Sequence, residues 1–189
     1  MDLATPMGYR RRSMSQTEQD NQSTAEPVDF GFRTVAREDK AAMVRGVFDA
    51  VADKYDMMND LMSGGLHRLW KARMIEALHI RPRSAQLLID MAGGTGDIAL
   101  RAQKRAQKLG TQLSAHIIDA NREMMKAGQK RAAIKKLAHL HFTTGTGEAM
   151  PLPDRCADMV SIAFGIRNIT HRDRALREAY RVLRPGGRF

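Results

Sequence analysis

Apolar residues recur along this chain with two different periods, and the period changes where glycine and proline interrupt it. Met43, Val47, Phe48, Val51, Ala52 and Tyr55 fall on one face at helical spacing, until "NDLMSGG" breaks the pattern. Leu66, Leu69, Trp70, Met74, Ala77 and Leu78 predict the apolar stripe of a second helix, stopped near Pro82. From there the rhythm alternates. Leu87 to Ile89 is a short strand-like run; Ile98 to Leu109 predicts a helix with Gly110 as its C-terminal cap. "SAHIID" predicts a second strand, Arg122 to about Lys136 a second helix of this series, "LHFTT" a third strand and "ADMVSIAF" a fourth. Leu176, Ala179, Tyr180 and Leu183 stripe a last helix, closed by Pro185-Gly186-Gly187. Strands alternating with helices predict α/β architecture with a doubly wound parallel sheet. A fifth strand should follow the Pro-Gly-Gly turn, so the expectation is a sheet whose C-terminal strands are missing.

The same pattern divides the chain. Residues 1–28 are polar, lack periodicity and read as a disordered tail. Residues 29–82 read as an N-terminal helical cap, and residues 83–189 as an incomplete Rossmann-like domain. Composition adds little: 43% hydrophobic and 28% charged residues are ordinary for a folded domain. No apolar run approaches the roughly 20 residues of a membrane-spanning helix. The single cysteine, Cys156, rules out an internal disulfide and reads as a small buried hydrophobe beside a strand.

Charge changes the picture more. The net charge is +10, and residues 101–136 hold ten Lys or Arg against Asp119 and Glu123. That points to an anionic partner, either nucleic acid or a phospholipid surface, or to two solvated helix faces. With 5% aromatic residues and no basic-aromatic interleaving, no nucleic acid is expected.

The candidate chemistry lies in "LLIDMAGGTGD", Leu87 to Asp97. A glycine-rich turn from strand into helix offers backbone N–H groups and a positive dipole end to a ligand. Gly94, Thr95 and Gly96 fit the start of a dinucleotide-type pattern, and Asp119 ends the next strand 23 residues beyond Gly96, where an acid binds ribose hydroxyls. Asp90 and Asp97 add negative charge that would repel a pyrophosphate but stabilise a sulfonium and an ammonium. No triphosphate-binding loop pattern is present. The reading is an adenosyl sulfonium cofactor, S-adenosyl-L-methionine, against the plainer reading of a turn that is merely tight.

"VFDAVADKYDMMNDLMSGGLHRLWK", "LIDMAGGTGDIA", "EAMPLPD" and "IAFGIRNITHRDRALREAYRVLRPGGRF" resemble the ubiquinone and menaquinone biosynthesis C-methyltransferases, from about Phe30 to the last residue. The resemblance implies a class I S-adenosylmethionine-dependent methyltransferase fold that methylates a ring carbon of a polyprenylated quinol. It implies Thr95, Asp119, Thr146, Gly147 and Ala163 at cofactor positions; Ala163 lacks the side-chain hydroxyl usual there. Arg167 and Asn168, after the fourth strand, are the candidate catalytic pair: Arg167 stabilises a phenolate or orients a water. An ion pair of Arg167 with Asp56 or Asp60 is the structural alternative, and His67 and His171 are alternative bases. Further expectations are a bacterial cytoplasmic location at the inner membrane (or a mitochondrial matrix one) and contact with other quinone-biosynthesis enzymes. The rival functions are a methyltransferase of another substrate class, such as RNA, and an inactive fragment that binds cofactor or partner proteins.

Overall fold

The computed structural model describes residues 27–30, 33–36, 65–135 and 137–189. An antiparallel hairpin, β1 (Pro27–Phe30) and β2 (Arg33–Ala36), comes first. Then follow α1 (Leu66–Ala77), β3 (Ala85–Met91), α2 (Asp97–Lys108), β4 (Gln112–Asp119), α3 (Arg122–Ile134) and β5 (Leu140–Thr144). The order closes with β6 (Ala157–Ser161), a short 3-10 turn (Ile166–Asn168), α4 (Arg172–Val182) and β7 (Leu183–Arg188). β1 starts inside the segment read as a disordered tail, and the hairpin shows that the region read as a helical cap is not wholly helical. The helix expected over Met43–Tyr55 lies outside the described residues.

The sheet runs β5-β4-β3-β6-β7 with every pairing parallel, which is the doubly wound arrangement. Its central strand reads as an apolar run because both faces are covered. Leu88 packs on one side with Ile98, Ala102, Leu113, Ile117 and Met159. Ile89 packs on the other with Ile118, Val160, Ala175, Ala179 and Val182. Each such aliphatic side chain, removed from water, contributes roughly 1.5–3 kcal/mol.

Two helices bury a different face from the one the sequence stripe suggested. In α1 the buried residues are His67, Lys71 and Ile75, while Leu66, Leu69 and Trp70 are more than half exposed. A lysine can take a buried position because an acid neutralises it there. In α4 the buried residues are Ala175, Ala179 and Val182, and Leu176 and Tyr180 are exposed. Small side chains win the inner face because they let the helix approach the sheet closely.

A fifth strand is also present. β7 pairs with β6 at Ala157–Leu183 and at Met159–Arg188, with a register shift between them. Pro185-Gly186-Gly187 is therefore not a turn that precedes the strand but a bulge within it. Asp158 fastens this region: its carboxylate accepts the Leu87 amide at 2.8 Å, Arg81 at 2.8 Å and Arg184 at 3.2 Å. Gly110 takes the left-handed conformation (φ +63°) just after α2, as expected of a helix stop. Cys156 is partly buried against the second core layer, in keeping with its reading as a small hydrophobe.

Candidate functional site

The carboxyl ends of β3, β4, β5 and β6 meet at one edge of the sheet. β3 leaves this edge through Ala92–Gly96, and α2 starts at Asp97. Gly96 sits at φ +74°, a conformation open to glycine and costly for other residues. The Gly93 amide donates to the Ile118 carbonyl at 3.3 Å, and the Gly94 amide to Asp119 Oδ2 at 2.8 Å. Asp119 Oδ1 accepts the Asn121 amide at 2.8 Å. Burial raises the Asp119 pKa from its ordinary value, and these two amides offset part of the rise. α3 packs directly on the turn: a Cβ on Gly128 would stand 2.8 Å from the Thr95 carbonyl and 2.6 Å from Phe142. Thr95 itself is buried, its hydroxyl 3.4 Å from Arg131.

Two further acids flank the turn in different states. Asp90 is fully buried; Ser161, its register partner on β6, donates to Oδ1 at 2.7 Å, and among the described residues Oδ2 has no hydrogen bond of ordinary geometry. Burial pushes its pKa up to about 7, against the opposing pull of the Ser161 hydroxyl and the Ala99 amide. Burial thus weakens the negative charge expected at Asp90 from the sequence. Asp97 is the reverse case. Burial alone would raise its pKa, but Lys71 at 2.8 Å and Arg101 at 2.9 Å hold it below the usual carboxylate range. That carboxylate is thus engaged by two cations.

The segment after β5 completes the edge. The Gly145 amide donates to the Asp119 carbonyl at 2.9 Å. Thr146 is exposed, and its hydroxyl accepts the Glu148 amide at 3.1 Å. Gly147 is buried so tightly that a Cβ would stand 2.6 Å from Met91. "EAMPLPD" is held by α4: Arg181 donates to the carbonyls of Met150 and Leu152 and to Asp154 and Glu178, while Glu178 accepts the Met150 amide at 2.6 Å. Glu148 accepts the amides of Thr170 and His171, both at 3.1 Å. No sequence signal marked Lys71, Ser161 or Glu148, because their partners are 22 or more residues away, nor the reach of Arg181 to the carbonyls of Met150 and Leu152, 31 and 29 residues away.

After β6, Ala163 is half-buried against the first core layer, and Phe164 adopts φ +60°. Arg167 and Asn168 lie on the 3-10 turn, Arg167 exposed and Asn168 half-buried. Among the described residues Arg167 forms no ion pair; Asp56 and Asp60 lie outside them. His67 is buried, and His171 precedes α4 with its amide on Glu148.

These residues fit an adenosyl sulfonium cofactor. Asp119, after one amide bond to each oxygen, keeps acceptor capacity for ribose hydroxyls. Asp90 Oδ2 is a buried acceptor left for a cation or a donor, and the turn brings backbone amides close to any ligand on this edge.

The ubiE/COQ5 methyltransferase family model matches residues 33–189. The chain belongs to this family. The ubiquinone/menaquinone biosynthesis C-methyltransferase UbiE of Dinoroseobacter shibae is 51% identical over 89% of the chain and 65% of its own length. That of Bradyrhizobium diazoefficiens is 52% identical over 87% of the chain and 64% of its own. The chain thus spans less than two thirds of the curated relatives it matches. Among solved structures, the [4+2]-cyclase SpnF is similar with a TM-score of 0.63 at 21% identity, covering 78% of this chain and 58% of that one. A SAM-dependent methyltransferase from Aquifex aeolicus gives 0.52 at 18% identity, covering 61% and 58%. These two likenesses support the class I methyltransferase fold.

Proposed function

We propose that this chain takes part in S-adenosyl-L-methionine-dependent C-methylation of a polyprenylated benzoquinol or of demethylmenaquinol. The observation that carries the reading is the family match over the whole sheet, with the Asp119–Gly94 bond intact at its ligand edge. The bound cofactor supplies an electrophilic methyl group. Asp119 would hold the ribose hydroxyls, Gly94 to Gly96 would face the cofactor with backbone amides, and Asp90 would meet its cationic end. Thr146, Gly147 and Ala163 shape the rest of the edge by backbone contact and packing.

Arg167 is the residue proposed to act on the quinol. A ring carbon becomes nucleophilic as a neighbouring hydroxyl loses its proton, and a fixed guanidinium stabilises the phenolate that develops. Its exposed position just past β6, where ligands of parallel sheets bind, supports this role. A lipid-soluble substrate also gives a use to the exposed lysines and arginines of α2 and α3, which would rest against anionic headgroups at a membrane surface.

The test is single-turnover methylation of a short-chain demethylated quinol, run beside calorimetry with S-adenosyl-L-methionine and NAD. The expected result is selective binding of the methionine derivative, and a turnover that falls about 10²–10³-fold in Arg167→Ala with cofactor affinity nearly unchanged. Tight NAD binding would overturn the cofactor assignment. Cofactor binding without turnover would favour the second reading, a chain that binds cofactor or partner without methyl transfer.

A further inference from the structure

Three segments distant in sequence close a ring of contacts at the ligand edge. Lys71 of α1 holds Asp97, the first residue of α2, at 2.8 Å, with the lysine side chain 7% exposed. The preceding residue, Trp70, places its ring 5.9 Å from that of Phe164, tilted by 47°. Next to Phe164, Gly165 lies so near the glycine turn that a Cβ there would stand 2.7 Å from the Cβ of Ala92. Residues 70–71, 92–97 and 164–165 therefore touch pairwise. Arg167 lies two residues beyond Gly165, on the 3-10 turn that the Asn168 amide closes onto the Gly165 carbonyl at 2.9 Å.

The backbone marks the same junctions. Ala92 (φ +50°) and Phe164 (φ +60°) are non-glycine residues in the left-handed region, a conformation kept only where surrounding contacts enforce it. Consecutive helix residues point about 100° apart, so Lys71 can face the cofactor turn while Trp70 faces the Arg167 loop. A helix moves as one body, and a shift of Asp97 reaches Trp70 through it. Trp70 and Phe164 are 52% and 43% exposed, so their contact can slide without opening the core.

We infer that α1 is a strut that couples occupation of the glycine turn to the placing of Arg167, with Lys71 and Trp70 as its positioning residues. This rests on the methyltransferase reading and says how its two halves communicate. A plain fastening of α1 would make the same contacts but would transmit nothing, and coupling free energy separates the two.

The measurement is the affinity of a benzoquinol carrying one isoprene unit, with and without saturating S-adenosyl-L-homocysteine, on the full chain. Wild type should bind the quinol at least about 5-fold more tightly when the homocysteine derivative is present. In Lys71→Met and in Phe164→Ala that ratio should fall below about 2-fold, with cofactor affinity held within about 3-fold, and Lys71→Arg should restore it. Emission of Trp70, the single tryptophan, should respond to the homocysteine derivative in wild type and not in Lys71→Met. Phe164→Ala leaves no deep cavity, so it carries the test if Lys71→Met does not fold. An unchanged ratio in Phe164→Ala overturns the strut, as does wild-type binding of both ligands without coupling. A wild type that binds no S-adenosyl-L-homocysteine at all overturns the methyltransferase reading itself, and the strut with it.

Discussion

Asp119 Oδ2 accepts the amide of Gly94 at 2.8 Å, so the acid that ends β4 is built into the glycine turn of β3. It shapes the turn, and in the proposed function its remaining lone pairs would meet the ribose hydroxyls. Asp119→Ala should therefore weaken S-adenosyl-L-methionine binding by about 10- to 100-fold, from charge-assisted hydrogen bonds worth roughly 1.5–3 kcal/mol. It should also lower the thermal midpoint without cofactor, because the Gly94 and Asn121 amides lose their acceptor. Calorimetry and unfolding on the same samples check both; unchanged affinity sinks the assignment.

Asp90 predicts a pH dependence. Its pKa is raised in the folded chain, to about 7, so the native state binds the proton more tightly than the unfolded one. The resulting stability is fully present below the ordinary carboxylate pKa and is lost as pH rises through 7. Asp90→Asn should remove this slope, making the variant more stable than wild type at pH 8 relative to their difference at pH 5. If the buried carboxylate meets a cationic cofactor, wild-type affinity should rise between pH 6 and 8, and that rise should vanish in Asp90→Asn. Parallel stability profiles for the two proteins would count against the buried-charge account.

Arg181 is the clamp of "EAMPLPD", with Glu178, Asp154 and two carbonyls on one guanidinium. Arg181→Ala should destabilise the chain by about 1.5–3 kcal/mol, the scale of hydrogen bonds to a charged group. Proteolysis should then cut first between residues 148 and 154. Arg181→Lys should recover little, since an ammonium cannot reproduce the planar fork. Equal protection of that segment in wild type and Arg181→Ala would refute the clamp.

Lys104, Arg105 and Lys108 on α2 and Lys126 and Lys130 on α3 are exposed. Partitioning onto vesicles should rise with anionic lipid content and weaken with salt, about 1 kcal/mol per basic residue engaged. Equal partitioning onto neutral and anionic vesicles would leave these faces merely solvated.

Strands β3 to β6 and their order of appearance were legible because parallel strands are continuous apolar runs set off by glycine, and the placing of Asp119 beside the turn was legible from its spacing. The inner faces of α1 and α4 were not. Counting large apolar residues favoured Leu66, Trp70, Leu176 and Tyr180, whereas packing chose Ala175 and Ala179 for closeness and Lys71 for its partner Asp97. The strand β7 was misplaced for a related reason: Pro185-Gly186-Gly187 has turn composition, and only the neighbouring β6 makes it a bulged strand.

The bond from the Leu87 amide to Asp158 joins residues 71 positions apart. During synthesis, β3 can pair with β4 as soon as Asp119 has left the ribosome, but its other edge stays open until β6 follows. At roughly 5–20 residues per second, that leaves several seconds in which an apolar strand with unpaired amides faces solvent or a chaperone. Asp158 then ends this exposure by accepting amide and guanidinium donors together, so Asp158→Ala should slow the final folding step more than it speeds unfolding.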